Sequence, residues 1–165
     1  MSIMMDTATD LPATTSDINA RIAARVRALR GQRGLSLDAL AARSRVSRSM
    51  ISLIERGESS PTAAVLDRIA TGLDVSLAAL FDGPADSMGP LSRRADRSSW
   101  RDPQSGYVRR NISPPHHACA LRIVEVSLPA RAQVAYENAP DVTRHQQIWV
   151  QQGRVDVTVG SDVYR

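Results

Sequence analysis

At 165 residues the chain has room for one ordinary domain or two small ones. Its net charge is only +4, yet all 21 basic residues are arginine, and nine of them fall between Arg21 and Arg56 against only Asp38 and Glu55. A single cysteine, Cys119, excludes an internal disulfide framework, no run approaches the roughly 18 apolar residues of a membrane span, and the acidic start MSIMMDTATDLP excludes a secretory signal. These features predict a soluble, cytoplasmic protein with no membrane partner. Most of the arginine-for-lysine usage reads as codon bias toward arginine and alanine. The clustered patch still offers a polyanion something to feel within a Debye length, and arginine is the better residue for phosphate and guanine.

Residues 1–15 are polar and aperiodic, contain Pro12 and no basic residue, and read as a disordered arm. Ser16 and Asp17 then cap a helix over residues 16–32, with Ile18, Ile22, Val26 and Leu29 on one stripe and Gly31 and Gly34 at its end. The stretch LSLDALAARSRVSRSMISLIERGE, residues 35–58, organises the rest. It reads as two short helices joined by a tight turn. The first covers residues 37–44 with Ser36 as N-cap, and the second covers residues 48–56 with Ser47 as N-cap and Gly57 as its stop. Leu37, Leu40 and Ala41 share one face, as do Ile51 and Ile54. Stripes this short must bury against each other and against flanking helices, because isolated helices under about 12 residues are marginal in water. Arg48, Ser49 and Ser52 are thereby turned outward.

Pro61 suits the first position of a fourth helix over residues 61–71, ended by Gly72, and residues 75–81 give a short fifth helix capped by Ser76. From Gly83 the character changes. Residues 84–100 carry Pro, Gly, Ser and mixed charge without periodicity and read as a linker, with Arg93, Arg94 and Arg97 as solvated charge. Beyond it, residues 107–112, 118–128, 133–136, 147–151 and 154–159 are β-branched, partly alternating and separated by prolines and Gly153, and read as strands.

The run from Leu35 through SSPTAAVLDRIATGLDVSLAALF resembles, over nearly its whole length, the helix-turn-helix domain of the lambda-repressor/Cro-like (XRE) regulators. The pattern V-S-x-S-x-I-S-x-I-E-x-G, followed by S-P and a helix ending in L-D-V-S-L-x-x-L-F, carries the resemblance. It implies a five-helix domain over residues 16–83, double-stranded DNA as partner, and a recognition helix whose N-terminal side chains reach base edges in the major groove. By register those are Arg48, Ser49, Ser52 and Leu53: Arg48 for guanine O6/N7, the two serines for several bases, Leu53 for a thymine methyl. Phosphate partners are Ser36, Arg43, Arg45, Ser47, Arg56, Ser59 and Thr62, several of them at helix N-termini where unpaired N–H groups favour anions. Two departures from the family pattern stand out. Leu37 sits where a backbone-bracing glutamine is usual, so Ser36 or a backbone N–H must serve, and Arg45 sits where glycine is usual, a position that often needs φ > 0. The resemblance also implies an ion pair between Arg30 and Glu55 that ties the first helix to the third.

HQQIWVQQGRVDVTVGSDVYR resembles the first half of a cupin, a double-stranded β-helix: strand, Gln-Gly turn, strand, Gly-Ser turn, strand. The expected fold is thus a two-part chain, helical over residues 16–83 and antiparallel β over residues 101–165, the latter a partial barrel in a fragment of a longer protein. Among regulators of this kind the barrel senses a small effector or holds a homodimer together. Cupin metal sites use two histidines one residue apart, then a glutamate about seven before the turn glycine. Counting back from Gly153 meets Gln146, and the upstream pair falls at Pro140, Asp141 and Val142. His145 is out of register, and His116 and His117 lie in a proline-rich turn. No metal, no cofactor and no catalytic residues are therefore expected. The chain reads as a sequence-specific transcription regulator, a dimeric repressor. Its rivals are an antitoxin-like autoregulating protein and a metal-dependent cupin enzyme anchored to DNA.

Overall fold

Apolar residues at three- and four-residue spacing make the stripe that buries α1 (Thr15–Gln32): Ile18, Ile22, Val26 and Leu29 are all at most 4% exposed. The computed structural model describes residues 15–82, 90–114, 121–136 and 145–165. The expected arm lies outside them except for Thr15, which opens α1. Three further helices follow: α2 (Leu37–Ser44), α3 (Arg48–Glu55) and α4 (Ala63–Gly72). Leu40, Ile51, Ile54, Leu66 and Ile69 meet in the centre, each 0–1% exposed. Leu37, Ala41 and Val65 pack at its edge, so the two short helices gain the tertiary support that they need.

Among the described residues there are four α-helices, not the five expected. Residues 77–81 form a 3-10 turn instead (Leu77–Phe81). Only seven residues lie between Asp74, held in the left-handed region at φ 54°, and Asp82, which is extended, and five of them make the turn. Ser76 makes no capping bond with its side chain, and a segment so short closes in i→i+3 bonds. Its job is burial: Leu77, Leu80 and Phe81 complete the core. The fourth helix also begins later than expected, at Ala63 and not at Pro61, because Thr62 adopts the extended N-cap conformation. Its last residue, Gly72, is a point of close approach. A Cβ there would lie 2.8 Å from Ser44 Cβ and 3.0 Å from Ser44 N, so a bare backbone is what lets α4 cross α2.

The strands form two groups. Antiparallel β1 (Ser99–Arg101), β2 (Val108–Asn111) and β3 (Val124–Ser127) make one sheet in that order, with Trp100 opposite Arg109 and Arg109 opposite Val126. A separate hairpin joins β4 (Val157–Val159) to β5 (Asp162–Tyr164) through Gly160 and Ser161. The expected strands over residues 133–136 and 147–151 carry no strand pairing; that over 154–159 is shorter than expected, and of that over 118–128, whose first three residues lie outside the described ones, only Val124–Ser127 pairs. Side-chain alternation alone does not make a strand when no neighbouring edge is within reach. Ile148 and Trp149 are accordingly 56% and 85% exposed.

The stretch expected as a linker ends in ordered structure. Trp100 is 2% exposed; its ring lies 5.5 Å from Phe81 and 5.8 Å from Tyr107, joining the sheet to the helical core. Asn111 donates to the carbonyl of Ala78 at 3.0 Å, and Arg122 pairs with buried Asp82 at 3.1 Å. Arg97, expected as solvated charge, is half-buried and folds back onto the Ser92 hydroxyl and carbonyl. The expected boundary between linker and β part, at residues 100 and 101, falls within β1.

Candidate nucleic-acid interface

The outward face of α3 is what remains once its two isoleucines are buried. Ser47 sets the start: its hydroxyl accepts from Met50 N–H at 3.2 Å. Gly57, at φ +72°, sets the end, where Gly57 N–H bonds to Ile54 O and Glu58 N–H to Leu53 O, both at 2.9 Å. That 5→2 and 6→1 pair is a complete Schellman motif. Between these limits Arg48, Ser49, Ser52, Leu53 and Arg56 line one shallow, open depression. Four of these five are the residues expected at base edges; Arg56 was expected on phosphate.

The remaining expected residues surround it. Ser36 and Thr62 are N-caps whose hydroxyls accept from Ala39 N–H at 3.0 Å and Val65 N–H at 3.4 Å, leaving their own protons to donate. Ser59 is half-buried with its hydroxyl 3.8 Å from Met50 Sδ. Arg43 and Arg45 are exposed, and Arg45 takes the left-handed conformation, φ 54° and ψ 29°, that a glycine adopts without strain. Leu37 is half-buried at the core's edge and offers nothing polar.

Several electrostatic partners escaped the sequence. Arg48 Nε lies 3.3 Å from Asp38 Oδ1, both side chains exposed. Arg56 is gripped harder. Its Nε and Nη2 donate to the two carboxylate oxygens of Glu58 at 2.9 and 2.8 Å, and its Nη1 donates to Ser52 Oγ. The fork holds the Glu58 carboxyl below the usual carboxylate range and raises the Arg56 guanidinium further. Beneath the face, Arg30 Nε and Nη2 reach Glu55 at 2.6 and 2.8 Å, and Nη1 reaches Leu35 O at 2.9 Å. Arg27, with no expected role, donates to the Glu55 carbonyl at 2.6 Å. Glu55 is 6% exposed, so α3 is anchored to α1 through a nearly dry carboxylate.

Asp102 is the largest omission. Its Oδ1 accepts from Ala63 N–H at 2.7 Å, and its Oδ2 accepts from the N–H and the hydroxyl of Ser105, both at 2.6 Å. Burial alone would raise this carboxyl, but the bonds from Ser105, Ala63 and Gln104 outweigh it and hold it below the usual range. Helix α4 thus has its N-terminal charge met by the protein's own carboxylate. The D-P-Q-S-G run of residues 102–106 is a turn signature that marks Asp102 as a local acceptor, though not its distant partner. Of the residues weighed for metal, His116, His117, Pro140, Asp141 and Val142 lie outside the described residues, as does Cys119; His145 and Gln146 are exposed neighbours.

Residues 26–80 match the HTH_3 family, described as helix-turn-helix. That segment is a helix-turn-helix domain. A curated relative, the HTH-type transcriptional regulator SutR of Escherichia coli (strain K12), is 52% identical to the chain over 56 residues, a match covering 34% of this chain and 32% of the relative. The chain therefore matches about a third of that regulator's length. A solved HTH_3 family transcriptional regulator from Vibrio cholerae is 36% identical, with 59% of each chain covered and a TM-score of 0.42. The restriction-modification controller protein C.AhdI from Aeromonas hydrophila is 33% identical, covering 38% of this chain and 96% of its own, with a TM-score of 0.38. The helix-turn-helix domain so identified contains α2, α3 and α4 entire, with the expected base-contacting residues on α3. Among the described residues no helix is long and apolar enough to cross a membrane.

Proposed function

We propose that the protein is a sequence-specific DNA-binding transcription regulator, a repressor acting in the cytoplasm, and not an enzyme. The observation that carries the proposal is the outward face of α3, where Arg48, Ser49, Ser52 and Leu53 share one open depression on a family-matched helix-turn-helix domain. One α-helix fits the major groove, and these side chains have the chemistry to read it: a fork for guanine O6/N7, two hydroxyls, and an apolar group for a thymine methyl. Ser36, Arg43, Arg45, Ser47, Ser59 and Thr62 surround it as phosphate ligands. The Arg30–Glu55 pair keeps the reading helix in place.

In this reading the strands are a cupin-like, metal-free part that binds a small effector or holds two subunits together. Supporting it are the apolar side chains left uncovered on and beside the β4–β5 hairpin, among them Val159, Tyr164 and Trp149, which is 85% exposed. A dimer places its two reading helices about 34–36 Å apart and demands an inverted repeat. Selection from a random duplex pool, followed by titration at several salt concentrations, tests the proposal. A recovered inverted repeat bound at least about 10³-fold more tightly than random duplex is expected. Absence of binding at low ionic strength refutes it.

A further inference from the structure

The two arginines at the ends of α3 are both met by carboxylates, but unequally. Asp38 touches Arg48 through one contact of 3.3 Å, whereas Glu58 closes a two-point fork on Arg56. Backbone geometry makes the second pairing specific. The Schellman bonds from Gly57 and Glu58 fold the chain back at the end of α3, placing the Glu58 side chain against Arg56 two residues earlier. Of the five guanidinium N–H groups, two are held by Glu58 and a third by Ser52 Oγ. Both partners are about half exposed, so the fork lies at the surface, beside Ser52 on the outward face of α3.

We propose that Glu58 is a specificity-determining residue that acts through Arg56, taking this arginine away from the phosphates and aiming it at Ser52. The inference rests on the DNA-reading function above. Phosphates recur at every base step, so an arginine free to follow them adds affinity for all duplexes alike. Glu58 cancels that charge and adds a repulsion wherever a phosphate approaches. Arg56 then fills one lone pair of Ser52 Oγ, leaving the Ser52 proton to donate outward. Ser52 becomes a reader of acceptors: purine N7, guanine O6 or thymine O4.

The test uses the full chain, its selected site and a random duplex of equal length, titrated across a salt series. For Glu58→Gln the expected result is random-duplex binding about two- to fivefold tighter at low salt, the range for losing an exposed pair. Its log–log salt slope steepens by about 0.9, one added phosphate contact, while the selected site changes less, so discrimination falls. Arg56→Ala is expected to weaken the selected site more than the random duplex, at unchanged slope, and to relax the same base position as Ser52→Ala. An Arg56→Ala variant that weakens both duplexes equally and flattens the slope overturns the inference, since Arg56 is then a plain phosphate ligand. So does a Glu58→Gln variant with unchanged discrimination. Either result leaves the DNA-reading function standing, whereas wild-type protein that binds neither duplex removes both.

Discussion

Replacing Arg30 by methionine tests whether α3 is held by its buried carboxylate. The substitution keeps most of the side chain's apolar volume but removes both bonds to Glu55, at 2.6 and 2.8 Å, and the bond to Leu35 O at 2.9 Å. It leaves a carboxylate 6% exposed whose other arginine neighbour among the described residues, Arg27, is engaged at the backbone carbonyl instead. Breaking a buried pair from one side costs about 3–5 kcal/mol; because the Arg30 side chain is 20% exposed, water can reach the site and a smaller cost, about 2–3 kcal/mol, is expected. Glu55→Gln strands a guanidinium that is better hydrated, at about 1–2 kcal/mol. The double variant should be little worse than Arg30→Met alone, giving a coupling energy of at least about 1 kcal/mol. Urea unfolding monitored by Trp100 emission measures this directly, since that indole is 2% exposed; a Trp149→Phe background removes the 85% exposed reporter. If the two single effects simply add to within about 0.5 kcal/mol, the pair is not what anchors α3.

Four further substitutions separate stability from binding. Arg48→Ala should cost about 1–3 kcal/mol of binding to the selected site and relax preference at one base pair, with thermal stability unchanged because the side chain is 65% exposed. Arg45→Gly should raise the unfolding midpoint, worth up to about 1 kcal/mol, by relieving the left-handed conformation, while weakening duplex binding uniformly by loss of one charge. Gly72→Ala should destabilise by about 1–3 kcal/mol in the same unfolding assay, because the new Cβ meets Ser44 backbone and Cβ atoms that cannot swing aside. Asp102→Asn should cost about 1–3 kcal/mol at neutral pH and flatten the acid limb of stability. The folded-state carboxyl titrates below its unfolded value, so its contribution is complete above about pH 4 and is lost as pH falls through the depressed value; a pH series of urea midpoints reads this out.

How much of this was legible follows from the range of each interaction. Ser36, Ser47 and Gly57 act within three residues, so the ends of α2 and α3 could be read from the chain itself. The buried stripe of α1 and the outward face of α3 follow from the same periodicity. Arg30 and Glu55 are 25 residues apart, and only a family resemblance suggested their pairing. Asp102 and Ala63 are 39 apart, in a turn for which no resemblance was available, and that contact stayed invisible. The Arg56–Glu58 fork is local yet was also missed, for a different reason. Residues two apart face different ways on a helix. They meet here only because Gly57 turns the chain into the left-handed region between them, so the glycine read as a mere stop is also what brings a carboxylate onto the reading face. The β-region failed in the opposite direction, since alternation was present and pairing was not. A strand is completed by its neighbour, and for residues 147–151 no described strand supplies one. The β1 strand shows the converse: three residues in a Ser- and Arg-rich stretch, with no pattern to announce them, are ordered because Trp100 finds Phe81 and Tyr107. Burial of one indole therefore did what periodicity could not, and fixed where the helical core ends and the sheet begins.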